Sequence, residues 1–297
     1  MTPEERSWAF LGRERSRFPV MALHSSASSG GQWKALTRNL GWERPVLTPD
    51  LPGYGKASES APLMTAADLA REAEWLLRNA GLPAGPFHLV GHSYGGAVAM
   101  KLALLAPRRV RSLTLIEPVL FHLLSPAVVP AMWDCERRLH RDIVGLRDRI
   151  RGAVAAGWPG HGMAAFVDFW SGEDTWRRLD PAKRRFLALQ AKSVLRNFEA
   201  AFAENWSIDD VGRLNLPLQI VFGDASPPVT RRLCDLLVEA AGKGNHRVTT
   251  TRIFGGGHMA PITHAAAVNT AIVHHLEVAE GHWQRPASFA SCHPMVA

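Results

Sequence analysis

The sequence predicts an α/β protein, a mostly parallel sheet covered by helices on both faces and interrupted by a helical insertion. Three observations predict it. Short apolar runs alternate with helical patterns up to about residue 118 and again from about residue 215. One run, Phe87-His88-Leu89-Val90, leads through Gly91-His92-Ser93-Tyr94-Gly95-Gly96 into an Ala/Leu-rich helical stretch that Pro107 ends. That is the strand–turn–helix context in which G-x-S-x-G lifts a serine above a parallel sheet. Between Val119 and Leu214 the alternation stops, and the chain reads as helices with no convincing strand.

The elements follow in order. Phe18 to Leu23 reads as a strand ending at His24, and Trp33 to Leu40 as a helix. Arg44 to Thr48 is a short strand that enters the loop Asp50-Leu-Pro-Gly-Tyr-Gly55, where Asp50 is expected to tie down a tight turn. Thr65 to Ala80 reads as a helix, with Thr65 as N-cap, Asp68 three residues on, and Gly81 and Pro83 as the stop. After the Ser93 turn come a helix to Ala106 and a strand from Val110 to Ile116, which ends at Glu117-Pro118. Beyond the insertion, Pro217 to Phe222 is a strand, Thr230 to Ala241 a helix, Arg247 to Phe254 a strand, and about His264 to Glu277 a last helix. The expected organisation is a core over 1–118, an inserted helical cap over 119–214, the rest of the core over 215–280 and a loosely held tail over 281–297.

Composition narrows the function classes. The 297 residues are 46% hydrophobic and 21% charged, as in ordinary globular proteins. No apolar run reaches the roughly 18 residues of a membrane span. The first seven residues are polar, so no signal peptide is expected. The three cysteines are scattered, with neither metal-ligand spacing nor a paired framework, and a cytoplasmic location is the simpler reading. The net charge of +7 concentrates between Arg108 and Arg185, in clusters that alternate with acids and apolar residues. These read as solvated faces of amphipathic helices, and with no nucleic-acid motif beside them no nucleic-acid partner is expected. Five of the ten tryptophans lie in the insertion. They are expected mostly to form its core, with Phe121, His122, Phe166, Phe169 and Trp170 as candidates to face substrate.

The chemistry converges on Ser93. The glycines at 91 and 95 suit a turn too tight for side chains, which points the hydroxyl into the open. The backbone N–H of Tyr94, at a helix start, then faces the same space as an oxyanion donor. A serine nucleophile needs a base, and His258 follows a strand in Gly255-Gly256-Gly257-His258, after the elbow in chain order. His24-Ser25-Ser26-Ala27-Ser28-Ser29-Gly30-Gly31-Gln32-Trp33 is a small-residue loop in which the Ser26 N–H is the candidate second donor. His88, His92, His274 and His275 read as structural.

These segments together resemble the α/β-hydrolase superfamily. The carriers are His24 to Trp33, Asp50-Leu-Pro-Gly-Tyr-Gly-Lys-Ala-Ser58, the elbow and Gly257-His258, from about residue 18 to about 278. The resemblance implies an eight-stranded, mostly parallel sheet, an α-helical cap after the sixth strand, and Ser26 and Tyr94 as oxyanion donors. His24 is a further candidate substrate contact, and chemistry of this kind requires no cofactor or metal. There are two departures. Ser25 stands where the family has glycine. The strand from Pro217 should deliver an acid in G-x-x-D, and Gly223-Asp224-Ala225-Ser226 has serine there. Glu117, at the end of the preceding strand, is the expected acid, a position that some haloalkane dehalogenases use. Asp224 is the alternative, and Asp209 and Asp210 are further carboxylates. Dehalogenase and epoxide-hydrolase chemistry use aspartate at the elbow, so Ser93 argues instead for hydrolysis of an ester or related acyl bond of a small-molecule substrate. The same residues could serve C–C, lactone or thioester cleavage or perhydrolysis. A non-catalytic ligand receptor on this fold is the reading of another class.

Overall fold

The computed structural model describes residues 17–57, 68–125, 134–242, 244 and 247–281. Within them six strands form one sheet: β1 (Val20–Leu23), β2 (Val46–Leu47), β3 (Phe87–His92), β4 (Val110–Ile116), β5 (Leu218–Gly223) and β6 (Val248–Ile253). Their order is β2-β1-β3-β4-β5-β6, and every neighbouring pair is parallel. The eight strands implied by the resemblance are therefore met as six among the described residues. Both faces of the sheet are covered, so β1, a continuous apolar run, and β3 are buried along their whole length.

Helices α1 (Lys34–Leu40), α2 (Leu69–Asn79) and α3 (Tyr94–Leu105) precede the insertion. Helices α4 (Asp134–Ala155), α5 (Pro159–Ser171), α6 (Pro181–Leu189) and α7 (Ala191–Ala203) lie between β4 and β5. Helices α8 (Pro228–Ala241) and α9 (Ala265–Glu280) complete the fold. The period of two along the strands divides the core. Val20, Ala22, Val90, Ile116 and Val221 pack with Leu36 and Leu40 of α1 and Val268, Ile272 and Leu276 of α9. Met21, Leu23, Leu89, Leu115 and Ile220 face α2, α3 and α8. The inserted helices join this second cluster through Ile143, Leu146, Met163, Trp170, Val194 and Phe198, so they share the core of the sheet.

Element limits differ from the expectation where a cap decides. Helix α2 starts at Leu69, because the Asp68 carboxylate accepts the N–H groups of Ala70 (2.8 Å) and Arg71 (3.4 Å). The expected N-cap Thr65 lies outside the described residues, as does nearly all of the expected tail. Helix α9 runs to Glu280, where Gly281 in the left-handed region (φ 76°) ends it.

Candidate active site

Ser93 occupies the junction of β3 and α3 with φ 55° and ψ −118°, a strained conformation for a residue with a side chain. Crowding explains the glycines around it. A Cβ on Gly91 would lie 2.4 Å from the Gly95 carbonyl oxygen, and one on Gly95 2.5 Å from the carbonyl oxygens of Leu23 and His24. Packing at this distance brings the elbow against the end of β1 and the loop that follows it. Tyr94 is the first residue of α3, where backbone N–H groups lack intrahelical partners.

His258 Nε2 is 2.9 Å from Ser93 Oγ, and His258 Nδ1 is 2.7 Å from Glu117 Oε2. All three residues are buried. An ionised carboxylate only accepts, so Nδ1 carries the proton and Nε2 is left to accept from the Ser93 hydroxyl. Glu117 leaves β4 with φ 43°, and its N–H donates to the Val221 carbonyl (3.1 Å). Its second oxygen accepts the Gly223 N–H (2.8 Å) and the hydroxyl of Ser226. Burial pushes the Glu117 carboxyl up, but the hydrogen bond and charge of His258, with the Gly223 and Ser226 donors, outweigh it and bring the pKa down to about 2. Ser226, in the place where an acid was expected, instead donates its hydroxyl to the Glu117 carboxylate of the neighbouring strand. Asp224 turns the other way: its carboxylate accepts the Gly255 N–H (2.7 Å) and pairs with Arg252 (3.1 Å), which fastens the loop leading to His258. Asp209 and Asp210 lie on a short helix, Ile208–Gly212, where Asp210 caps its N-terminus.

A polar line runs behind the imidazole and has no signature in the sequence. The His92 Nε2–H donates to the His258 carbonyl oxygen (2.8 Å), and Gln32 Nε2 donates to His92 Nδ1 (3.1 Å). Gln32 Oε1 in turn accepts the N–H (3.1 Å) and hydroxyl (3.0 Å) of Ser25. Burial, then the neighbouring His258, lowers the His92 pKa to about 3, so His92 is a neutral link between the Ser25 loop and the His258 loop. The serine that departs from the family's glycine is part of that line.

A cleft of about 830 Å³ opens over Ser93 and His258. Ser26, Phe166 and Trp170 line it, and Ser26, Tyr94, Phe121, Phe166 and Trp170 also line a recess of about 10 Å³ beside Ser93. The Trp170 ring lies 4.4 Å from that of His258, tilted by 30°. Three expected substrate contacts are absent from these walls. His24 is fully buried; its Nε2 accepts the Leu51 N–H (2.9 Å) and its Nδ1 contacts the Ser25 carbonyl (2.7 Å), so it ties two loops together. Burial lowers its pKa to about 4. His122 packs edge-on against Trp206 at 4.4 Å, and Phe169 packs edge-on against Trp170 at 4.8 Å. Among the described residues no cluster of His, Cys, Asp or Glu has the makeup of a metal site.

The strand order and the strand–turn–helix junction at Ser93 have the form of an α/β-hydrolase core. The family described as alpha/beta hydrolase fold matches residues 19–265, and the chain belongs to that family. Over 99 residues it is 40% identical to Lipase LipV of Mycobacterium tuberculosis, a match covering 33% of this chain and 36% of that protein. It is 31% identical over 106 residues to 2-hydroxymuconate semialdehyde hydrolase of Pseudomonas sp., covering 33% of this chain and 36% of the relative. The chain thus spans about a third of the length of these curated relatives. A bromoperoxidase from Bacillus anthracis has a similar fold, with a TM-score of 0.65 at 21% identity over 88% of this chain and 92% of that one. A thermophilic esterase from Thermogutta terrifontis gives a TM-score of 0.60 at 22% identity, over 89% and 91% of the two chains.

Proposed function

We propose that this hydrolase cleaves an ester or related acyl bond of a small, largely apolar substrate through an acyl-enzyme on Ser93. The observation that carries the reading is the unbroken line Ser93–His258–Glu117, at 2.9 and 2.7 Å. Ser93 Oγ attacks the carbonyl carbon while His258 Nε2 takes its proton. Glu117 holds the imidazole by Nδ1 and stabilises the imidazolium that forms. The N–H groups of Ser26 and Tyr94 receive the oxyanion. His258 returns the proton to the leaving group, and a water, activated by the same imidazole, releases the acid and restores Ser93. Residues 119–214 act as a lid that shapes the cleft above a core formed by 1–118 and 215–280. The apolar walls and the lipase-named relative support the choice of substrate.

The same line serves C–C hydrolysis, and the semialdehyde hydrolase among the relatives keeps that reading in view. Lactone or thioester cleavage and perhydrolysis use the same groups. Among the described residues no helix is long and apolar enough to cross a membrane, and Cys135 and Cys234 are free thiols, which supports a cytoplasmic location.

A fluorophosphonate probe and a panel of esters test the reading together. Wild type should be labelled and should hydrolyse short esters. Ser93→Ala should lose labelling and keep its fold. Retention of more than about a tenth of kcat, less than about 1.4 kcal/mol of barrier, would remove Ser93 as the nucleophile. No labelling of folded wild type would favour a ligand receptor.

A further inference from the structure

Helix α6, Pro181-Ala-Lys-Arg-Arg-Phe-Leu-Ala-Leu189, carries three cations and no acid. It lines two open spaces. Lys183, Phe186 and Leu187 face the cleft over Ser93. Arg184, Arg185 and Ala188 face a second groove of about 570 Å³, whose other wall includes Trp158 and His161. The helical period makes the division, because residues three and four apart share a face. Leu189 lines neither space and is 80% exposed.

Exposed apolar side chains gather at the same place. Phe186 (49% exposed) and Ile262 (53%) line the cleft, and Trp158 (64%) lines the groove, stacked on His161 at 5.8 Å. With Leu189 they are four of the eight large hydrophobic side chains exposed among the described residues. Single exposed apolar residues are ordinary, and a cluster beside a cleft is not. The cations are free to meet a partner. Lys183, Arg184 and Arg185 form no ion pair with another described residue, and Lys183 Nζ lies 5.1 Å over the Phe186 ring. Asp180, the acid just before the helix, is engaged as its N-cap, accepting the Lys183 N–H at 2.8 Å. Nor does the end of the chain supply a match, since residues 282–297 contain one arginine and no acid.

Unpaired cations interleaved with exposed aromatic and aliphatic groups on an amphipathic helix suit an anionic lipid interface. The apolar groups enter the boundary of the acyl chains while the cations meet headgroup phosphates. The cleft favours lipid over an acidic protein surface, because its apolar rim, Phe186 and Ile262, belongs to the same cluster. A protein seated there would cover the way in, whereas lipid would fill it. We infer that α6, with Trp158 and Ile262, docks this protein on an anionic lipid surface. Resting on the serine-hydrolase reading, the docked cleft takes its apolar acyl substrate directly from that lipid.

The test is flotation of the full chain with vesicles of phosphatidylcholine alone or with about one-third phosphatidylglycerol. Wild type should bind the anionic vesicles at least about tenfold more tightly, and raising the salt from about 0.1 to 0.5 M should weaken binding. Leu189→Glu and Arg185→Glu should each weaken it at least about fivefold. Both positions are exposed, and circular dichroism checks that the variants fold. Trp42→Ser and Arg38→Glu, which change an exposed indole and an exposed cation outside both spaces, should bind as wild type does. Hydrolysis of a vesicle-borne ester relative to a soluble one should fall with binding. Failure of wild type to bind anionic vesicles overturns the inference, as does equal loss in the control variants. Sensitivity to Arg185→Glu without sensitivity to Leu189→Glu overturns it in favour of an acidic partner. An oligomer in size exclusion that Leu189→Glu dissociates, with no vesicle binding, overturns it in favour of a second copy. Fluorophosphonate labelling separates the two readings. A labelled, active enzyme that does not bind vesicles sinks only this inference, whereas a protein that binds them but is unlabelled and inactive sinks the hydrolase reading and the delivery of substrate with it.

Discussion

Glu117 Oε2 lies 2.7 Å from His258 Nδ1, although 141 residues separate the two in the chain. The contact exists because β4 and β5 are parallel neighbours, with Ile116 opposite Val221. Glu117 thus emerges beside the loop that would ordinarily carry the acid, and that loop supplies two donors to its far oxygen.

Glu117→Gln should lower kcat by at least about 100-fold, near 2.7 kcal/mol, because an amide can neither fix the imidazole tautomer nor stabilise the imidazolium. Asp224→Asn should cost less than about tenfold, since Asp224 is engaged with Gly255 and Arg252. Steady-state kinetics on a short ester rank the two, and the opposite ranking would return the acid to the loop after Phe222.

Ser226→Ala should be milder. It removes one of the two donors on Glu117 Oε1 and leaves the Gly223 N–H in place. The expected loss in kcat is about three- to tenfold, the worth of roughly 1 kcal/mol for one hydrogen bond. A loss as large as that of Glu117→Gln would mean that the hydroxyl does more than position the carboxylate.

Trp170 and Phe169 are adjacent in sequence and differ in exposure to the cleft. Trp170 covers the His258 ring and lines both spaces around Ser93, whereas Phe169 packs behind it. Trp170→Ala should lower kcat/KM for a bulky aromatic ester by about tenfold more than Phe169→Ala does, on the scale of one lost aromatic contact. Equal effects of the two substitutions, on acetate and aromatic esters alike, would make both residues packing alone.

Acid stability should depend on Glu280. Its carboxylate takes two bonds from Arg44 (2.7 and 3.0 Å) and one from His88 (3.0 Å) in a buried cluster. Burial pushes its pKa up, but His88 and Arg44 outweigh this and lower it from 4.5 to about 2. The folded pKa lies below the unfolded one, so the stabilisation is full above about pH 4.5 and is lost as pH falls through about 2. Glu280→Gln should cost about 3 kcal/mol near neutral pH, because it strands a buried Arg44. Urea melts of both proteins should converge between pH 4.5 and 2. A gap that stays constant over that range would show that the carboxylate charge is not what matters.

Much of the site was legible because its chemistry is local. A turn that must expose a serine needs glycines at fixed offsets, and those offsets stand in the sequence at Gly91 and Gly95. The strand before Ser93, the helix after it and the three glycines before His258 are likewise short-range patterns. The glycines before His258 also meet close packing. A Cβ on Gly223 would lie 2.0 Å from the Gly256 carbonyl oxygen, so the loop is pressed against the end of β5.

Other residues were not readable in this way. Whether His24 faces substrate or the core depends on the 50–55 loop, whose Leu51 N–H captures its ring. Gln32 and His92 are unremarkable polar residues until packing joins them to the His258 carbonyl. Asn197 sits in a helix whose sequence reads as ordinary amphipathic packing, and only the docking of α7 brings its amide to Ser26 and Tyr54.

By itself, then, the sequence determined the class of fold, the elbow at Ser93, the candidate base and the short list of acids, because backbone sterics and apolar periodicity act over a few residues. Only the tertiary structure decided which carboxylate meets His258 and which aromatic rings face the cleft. Those depend on strand order and on how inserted helices settle over the sheet. Contacts between residues more than a hundred positions apart are fixed by the packing of whole elements, and no local pattern encodes their register.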